Sequence, residues 1–400
     1  MKKIYYGKAV YDKKEIKAVV NVLTKNSLTL VDGQNVKKLE KKVSRLFGKK
    51  YGLMVNSGSS ANLLAIASFN FKKGSEIITP NLTFSTTVAP IYQLGLKPNF
   101  IGVEKNKFLA DTSQIEKCIN RKTVALMIPN LLGNIANWKK IHSIAKKYNL
   151  KVIEDSADTI GYTINKKITG NYSDITTNSF YASHIINGAG TGGMVCFNDF
   201  SLYQRAKLLR GWGRSSAHFN ESESIEKRFK VKISDIDYDA KYIFTEMGYN
   251  FLPSEISAAF ALEQIKKLNN NIKIRNKNFD KLKKFFGSFE NLFYLPEQYK
   301  GVKTPWLAFP LVIKENNFFN RKEMQIFFER HNIQTRTIFT GNILKQPVMK
   351  NRVYKKHPKS DHVADEVMKN GILLGCHQGM KNDELNYIFD IFNKFIKKCR

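Results

Sequence analysis

Val55-Asn-Ser-Gly-Ser-Ser-Ala-Asn-Leu-Leu64 reads as the end of a strand, a turn of small residues and the start of a helix. Such a turn brings backbone N–H groups to a helix N-terminus, where the dipole favours an anion. Ser57, Ser59 and Ser60 add hydroxyls, a set suited to one phosphate. No Gly-Lys-Ser/Thr follows, so this is not a nucleoside-triphosphate loop. Taken alone, the stretch fits a plain helix N-cap better than a binding site.

Its surroundings set the fold class. Short apolar runs recur at Tyr51–Val55, Glu76–Thr79, Pro98–Val103, Thr123–Ile128 and Lys151–Glu154. Helix-like spacing fills 60–70, 85–94, 111–119 and 137–147 between them. This alternation predicts an α/β protein with a mostly parallel sheet covered on both faces. Ligands of such sheets gather at the carboxyl ends of the strands. Two helices are expected earlier, over 8–25 and 34–47. From about 255 the pattern turns helical through 286, followed by a strand at Trp306–Ile313 and helices near 320–331 and 382–398. The expected division is a large domain over residues 1–255 and a smaller α/β domain over 256–400. The polar segment 215–247 reads as an excursion near that junction.

Composition narrows the class. A chain of 400 residues with 42% hydrophobic content has ample material for a core. The formal net charge of +31 would suit nucleic acid, an anionic membrane or a polyanionic substrate. The lysines are scattered with no long basic tail, which reads instead as solvated faces. No aromatic–basic motif and no zinc spacing supports nucleic-acid binding. Cys118, Cys196, Cys376 and Cys399 are far apart in sequence, so no CxxC metal or redox motif occurs. Scattered cysteines fit a reducing cytoplasm. No signal-peptide core and no apolar run of spanning length is expected.

Two further stretches carry chemistry. Lys151-Val-Ile-Glu-Asp-Ser-Ala-Asp158 delivers Asp155 to a strand end, where a carboxylate can pair with a protonated pyridine nitrogen. As a lone feature it equally reads as a turn residue. Asn178-Ser-Phe-Tyr-Ala-Ser-His-Ile-Ile-Asn-Gly-Ala-Gly-Thr-Gly-Gly193 embeds Ser179 and His184 among small residues that let a ligand approach the backbone. It is built as for a lysine, yet no lysine occurs between Lys167 and Lys207. An imidazole moves protons but cannot form an imine.

In order and spacing these motifs, with Ile78-Thr-Pro-Asn-Leu-Thr-Phe84 between them, resemble the DegT/DnrJ/EryC1/StrS sugar aminotransferases over nearly the whole chain. The resemblance implies the fold type I, aspartate aminotransferase-like architecture of pyridoxal phosphate enzymes. It implies that Gly58, Ser59 and Ser179 hold the cofactor phosphate, that Phe84 stacks on the ring and that Asp155 pairs with its nitrogen. Asp158 joins the cofactor-binding set, and Asn250 would reach the phosphate of a neighbouring subunit in a homodimer.

The family's lysine falls at His184. That points to the branch of pyridoxamine phosphate-dependent nucleotide-sugar 3-dehydratases. Leu132-Gly-Asn134, Arg210-Gly-Trp-Gly-Arg214, Thr335-Arg-Thr-Ile-Phe-Thr-Gly-Asn342 and Gly375-Cys-His-Gln-Gly379 also resemble it. One type in this branch holds an iron–sulfur cluster on cysteines after the Trp-Gly-Arg segment. Here Ser215-Ser-Ala-His-Phe-Asn follows without a cysteine, so no cluster is expected. The resemblance then implies the cluster-free type, acting on a GDP-4-keto-6-deoxymannose-like substrate in deoxysugar and O-antigen synthesis. It implies non-covalent pyridoxamine or pyridoxal 5′-phosphate, His184 as acid and base, and glutamate as amino donor. Ile185 follows where the branch usually has a second histidine, and the loop to Gly193 has aminotransferase length. An aminotransferase-like enzyme, a cofactor-binding regulator without catalysis and a basic nucleic-acid binder are the alternatives.

Overall fold

The computed structural model describes residues 2–25, 30–218 and 224–399. Part of the excursion expected over 215–247, including Phe219 and Asn220, therefore lies outside the described residues. The first two helices are α1 (Lys13–Lys25) and α2 (Gln34–Leu46). α1 starts five residues later than expected. Asp12 accepts from the Lys14 N–H at 2.8 Å while Glu15 accepts from the Asp12 N–H at 3.0 Å, a reciprocal cap that sets the helix start.

The large sheet is built from β1 (Tyr51–Val55), β2 (Glu76–Pro80), β3 (Lys97–Ile101), β4 (Thr123–Pro129) and β5 (Lys151–Asp155), with β7 (Ile175–Ser179) and β8 (Gly193–Phe197) after the short β6 (Thr163–Ile164). Between strands run α3 (Gly58–Ser68), α4 (Ser85–Gln93), α5 (Thr112–Cys118) and α6 (Trp138–Lys147), and α7 (Phe200–Arg210) follows β8. β3 ends before the expected Val103, because the Gly102 N–H leaves the ladder for Gln114 Oε1 at 2.8 Å.

The remaining elements are α8 (Ile225–Arg228), the hairpin β9 (Val231–Ile233) and β10 (Ile236–Tyr238), and the long α9 (Glu255–Gly287). Then come β11 (Phe293–Tyr294), β12 (Val302–Lys303), β13 (Phe309–Ile313), α10 (Arg321–Arg330), β14 (Lys355–Lys356), α11 (Asp361–Asn370), β15 (Gly371–Leu374) and α12 (Asn382–Cys399). β13 starts three residues after the expected Trp306. The Trp306 and Leu307 carbonyls face Arg275 Nη1 at 3.1 and 3.2 Å instead of a neighbouring strand.

Strand order in the large sheet is β1-β8-β7-β5-β4-β2-β3-β14. β8 alone runs against its neighbours; the other pairings in this sheet are parallel. The mostly parallel, mixed sheet matches the expectation, and its strands are near-continuously buried because both faces are covered. Alternate residues feed opposite cores. Leu53, Val55 and Ile153 pack with Ala61 and Leu64 of α3. Met54, Ile78 and Leu126 pack with Leu39 of α2, Trp138 of α6 and Ala258 of α9.

The three-stranded sheet β11-β13-β15 holds a separate core with α12. α9 serves both regions: Ala258, Ala261 and Leu268 join the large-sheet core, and Phe279, Leu282 and Phe286 join the smaller one. One rigid rod thus ties the two cores together. Among the described residues no helix is long and apolar enough to cross a membrane.

Candidate active site

β8 runs antiparallel, so its first residue meets the last residues of two neighbours. Gly193 lies opposite both Val55 and Ser179. A Cβ on Gly193 would stand 2.3 Å from the Ser57 carbonyl oxygen, and one on Gly58 would stand 2.6 Å from Ser179 Cβ. Only residues without side chains let the turn, the strand end and the glycine run close together. Ser57 caps α3, its Oγ accepting from the Ser60 N–H at 3.0 Å. The free N–H groups of the first turn open into a cavity of about 550 Å³ at the carboxyl edge of the sheet.

Seven of the eight residues singled out in the sequence line this cavity: Gly58, Ser59, Phe84, Asp155, Asp158, Ser179 and His184. Asn250 does not. It is exposed and bridges to Gly211.

Asp155 ends β5 almost fully buried, at 5% exposure. Its Oδ2 accepts from Asn62 Nδ2 at 2.9 Å and Thr87 Oγ1 at 2.8 Å, and its Oδ1 accepts from the Ala157 N–H at 3.1 Å. Burial raises its pKa, and the three donors work against that rise. All three are neutral. A buried carboxylate held this way is aimed and desolvated but has no cation against it among the described residues, so a cationic N–H is its natural complement. Asp158 is pushed up to about 7, by burial first and by the Asp155 charge second, while the Leu132 N–H at 2.8 Å opposes the rise.

His184 sits in the loop after β7. Its Nδ1 lies 3.3 Å from the Ser179 carbonyl oxygen. A carbonyl only accepts, so Nδ1 carries the proton and Nε2 carries the lone pair. Burial pulls the imidazole down to about 4; the Ser179 carbonyl opposes this and the Arg275 charge adds to it. The ring is therefore neutral at physiological pH. Tyr181 packs edge-on against it, ring centres 5.8 Å apart. Among the described residues that line the cavity, none is a lysine.

Phe84 caps the start of α4 and is 50% exposed, its ring meeting Phe339 edge-on at 5.9 Å. Sequence reading missed several members of this wall. Asn62 and Thr87 aim Asp155, and Thr177 Oγ1 donates to Asn62 Oδ1 at 2.6 Å, which fixes the amide's orientation. Asn62 had a signal: it is a polar residue among Ala61, Leu63 and Leu64 on a buried helix. Tyr6 and Leu307 arrive from distant parts of the chain and had none, whereas Phe339 lies in the Thr335–Asn342 stretch that resembles the branch.

A sheet-edge cavity with an anion-receptive helix start, an aimed strand-end carboxylate and an untethered histidine defines an α/β protein of the PLP-dependent aminotransferase-like fold. The chain belongs to the DegT/DnrJ/EryC1/StrS aminotransferase family, whose model matches residues 10–393. The GDP-4-keto-6-deoxy-D-mannose 3-dehydratase of Escherichia coli O55:H7 (strain CB9615 / EPEC) is 33% identical over 393 residues, 96% of this chain and 97% of that protein. A solved structure of E coli GDP-4-keto-6-deoxy-D-mannose-3-dehydratase with bound hydrated PLP matches with a TM-score of 0.86 at 31% identity, covering 98% of this chain and 100% of that one. Another, of GDP-4-keto-6-deoxymannose-3-dehydratase with a trapped PLP-glutamate geminal diamine, matches with a TM-score of 0.84 at 31% identity over 97% and 99% of the two chains.

Proposed function

We propose that this chain is a pyridoxamine phosphate-dependent dehydratase that removes the C3 hydroxyl of a nucleotide-linked 4-keto-6-deoxyhexose. The observation that carries the reading is His184: a neutral imidazole, with no lysine beside it, in the cavity that holds Asp155. Relatives similar over nearly the whole length are named for that reaction.

The residues present fit the cofactor. Gly58, Ser59 and Ser179 surround the α3 N-terminus and would take its phosphate. Asp155, buried against neutral donors, would take the pyridinium N–H. Phe84 offers an exposed aromatic face, and Asp158 would add a polar contact. When bound, pyridoxamine phosphate supplies the amine and the electron-accepting ring that the reaction needs. Asn62 and Thr87 hold Asp155 in place. Backbone contacts with Ser179 and Ala157 hold the His184 ring, which in its neutral form would take up and return a proton. A neutral side chain that is not bonded to the cofactor can serve as base and then as acid.

The trapped glutamate adduct of the relative supports glutamate as the amino donor that restores the amine form. Ile16, Val20 and Leu23 form an exposed apolar stripe on α1, which supports a homodimer. Asn250, lying off this cavity, would then serve the partner's phosphate.

The test is chemical. The protein is incubated with pyridoxamine phosphate and GDP-, CDP- and dTDP-linked 4-keto-6-deoxyhexoses, and products are weighed by mass spectrometry. Loss of one oxygen from C3, sustained only when glutamate is added, supports the reading. Amine gain at C4 with the C3 oxygen retained would make the protein an aminotransferase instead.

A further inference from the structure

α9 carries a buried cation at the point where it passes from the large-sheet core to the smaller one. Arg275 lies between Leu268 and Phe279 on this helix and has 0% exposure. Its Nε donates to Gln378 Oε1 at 2.7 Å, and its Nη1 donates to the Trp306 and Leu307 carbonyls at 3.1 and 3.2 Å. Nη2 is buried without a hydrogen-bond partner among the described residues. All three acceptors are neutral. Burial lowers the pKa of the guanidinium, and the Cys376 thiol and the Tyr6 phenol oppose that fall. Burial pushes the Cys376 thiol up to about 12 and the Tyr6 phenol above its usual range, so both are neutral at physiological pH. A desolvated charge without a counter-ion is costly. Neutral acceptors lower that cost and leave the field of the cation acting on its surroundings.

Those surroundings are the wall of the proposed cofactor cavity. Leu307, whose carbonyl Arg275 holds, lines the cavity together with Tyr6 and His184. The Leu307 N–H donates to the Leu132 carbonyl at 2.8 Å, and the Leu132 N–H donates to Asp158 Oδ2 at 2.8 Å. On the other side, Gln378 and His377 belong to the stretch Gly375–Gly379. Asn278, one turn beyond Arg275 on the same helix face, donates from Nδ2 to the His377 carbonyl at 3.0 Å. His377 Nε2 in turn lies 3.1 Å from the carbonyl of Tyr5, the neighbour of Tyr6. Arg275 therefore stands one residue behind the wall that His184 faces, enclosed by its own chain.

The other groups around His184 make a cation there useful. Asp155 and Asp158 reach the cavity from the end of β5, Tyr6 from the N-terminal segment and Tyr181 from the histidine's own loop. Carboxylates near an imidazole favour its protonated form, and a nearby cation disfavours it. A histidine that is to accept a proton cannot do so once it is already protonated. The Arg275 charge adds to burial in pulling both His184 and His377 down to about 4.

We propose that Arg275 is a positioning residue for His184: its uncompensated charge, fixed behind Leu307, keeps the imidazole unprotonated in a cavity that also holds two acids. The use made of that base rests on the dehydratase reading; the state of the ring does not.

The test compares the full-length wild type with Arg275→Met, Arg275→Lys and Gln378→Glu. Imidazole titrations are followed by NMR in the free protein, with the His184 signal identified by its loss in His184→Asn. Arg275→Met should raise the His184 pKa by about one unit or more. Arg275→Lys keeps the charge and should stay near wild type. Gln378→Glu leaves an acceptor for Nε, sets a carboxylate against the guanidinium and should raise the His184 pKa as well, which keeps the proposal testable if Arg275→Met does not fold. The acidic limb of the single-turnover rate should move to higher pH with the titration. A His184 pKa that stays at the wild-type value in folded Arg275→Met or in Gln378→Glu overturns the proposal. So does a shift in Arg275→Lys as large as that in Arg275→Met, which would assign the effect to lost bonds. Failure of the dehydratase reading looks different: the wild-type protein leaves the C3 oxygen in place while the His184 titration still moves in the variants.

Discussion

The ring of His184 is tied to the carbonyl of Ser179, five residues earlier, through Nδ1 at 3.3 Å. A carbonyl only accepts, so this bond places the proton on Nδ1 and the lone pair on Nε2, the nitrogen that would act as base. Burial holds the ring's pKa near 4, so the base form is present throughout the neutral range.

An NMR titration of the free protein should therefore find an imidazole with a pKa near 4 that disappears in His184→Asn; His377, also pulled down to about 4, supplies a second such signal that remains. In the unfolded chain both take up protons near ~6.5. Between pH 6.5 and 4 the unfolded state thus binds more protons. The stability that these neutral rings contribute is present above ~6.5 and is lost as pH falls toward 4. A His184 signal titrating near ~6.5 would contradict the buried setting.

With no lysine among the described residues of the cavity wall, borohydride treatment of the pyridoxal phosphate-loaded protein should leave the cofactor extractable. Peptide mapping should find no pyridoxyl-lysine. A stoichiometric adduct on any lysine would remove the untethered site from the account.

Asp155→Asn keeps the shape of the strand end and discards its charge. Removing one member of a buried charge pair typically costs ~2–5 kcal/mol. Turnover should fall roughly 100-fold or more, with the thermal midpoint near wild type or above, because a desolvated charge has been removed. Normal turnover would mean that Asp155 does not face the ring nitrogen.

Gly193→Ala puts a methyl 2.3 Å from the Ser57 carbonyl oxygen and 2.7 Å from the Gly58 nitrogen. Both are backbone atoms, so the turn itself must shift. A stability loss of ~1–3 kcal/mol in urea titration and weakened pyridoxal phosphate binding are expected. An unchanged phosphate affinity would separate this junction from cofactor binding.

Much of this arrangement was legible because short-range chemistry writes it. The turn after Val55 needs small residues, strand ends carry Asp155 and Ser179, and both cores require apolar alternation; each leaves a local pattern. The antiparallel β8 left a weaker one, since Gly193–Phe197 is apolar in either direction. Its direction comes from pairing with β1 and β7, which no local spacing encodes. Asn62 and Thr87 reach Asp155 across 93 and 68 residues of sequence, and Tyr6 and Phe339 reach the cavity only through the packing of the smaller region. Boundaries moved for equally specific reasons, as where the Arg275 guanidinium takes the carbonyls ahead of β13.

The central claim is that His184 moves the proton that lets the C3 oxygen leave. The measurement is a single turnover of the pyridoxamine phosphate-loaded protein with the nucleotide-linked 4-keto-6-deoxyhexose, wild type beside His184→Asn, with cofactor content matched by absorbance. The account predicts a 3-deoxy product from the wild type and none from the variant, with both proteins holding cofactor equally. A variant that forms the 3-deoxy product at the wild-type rate would contradict it.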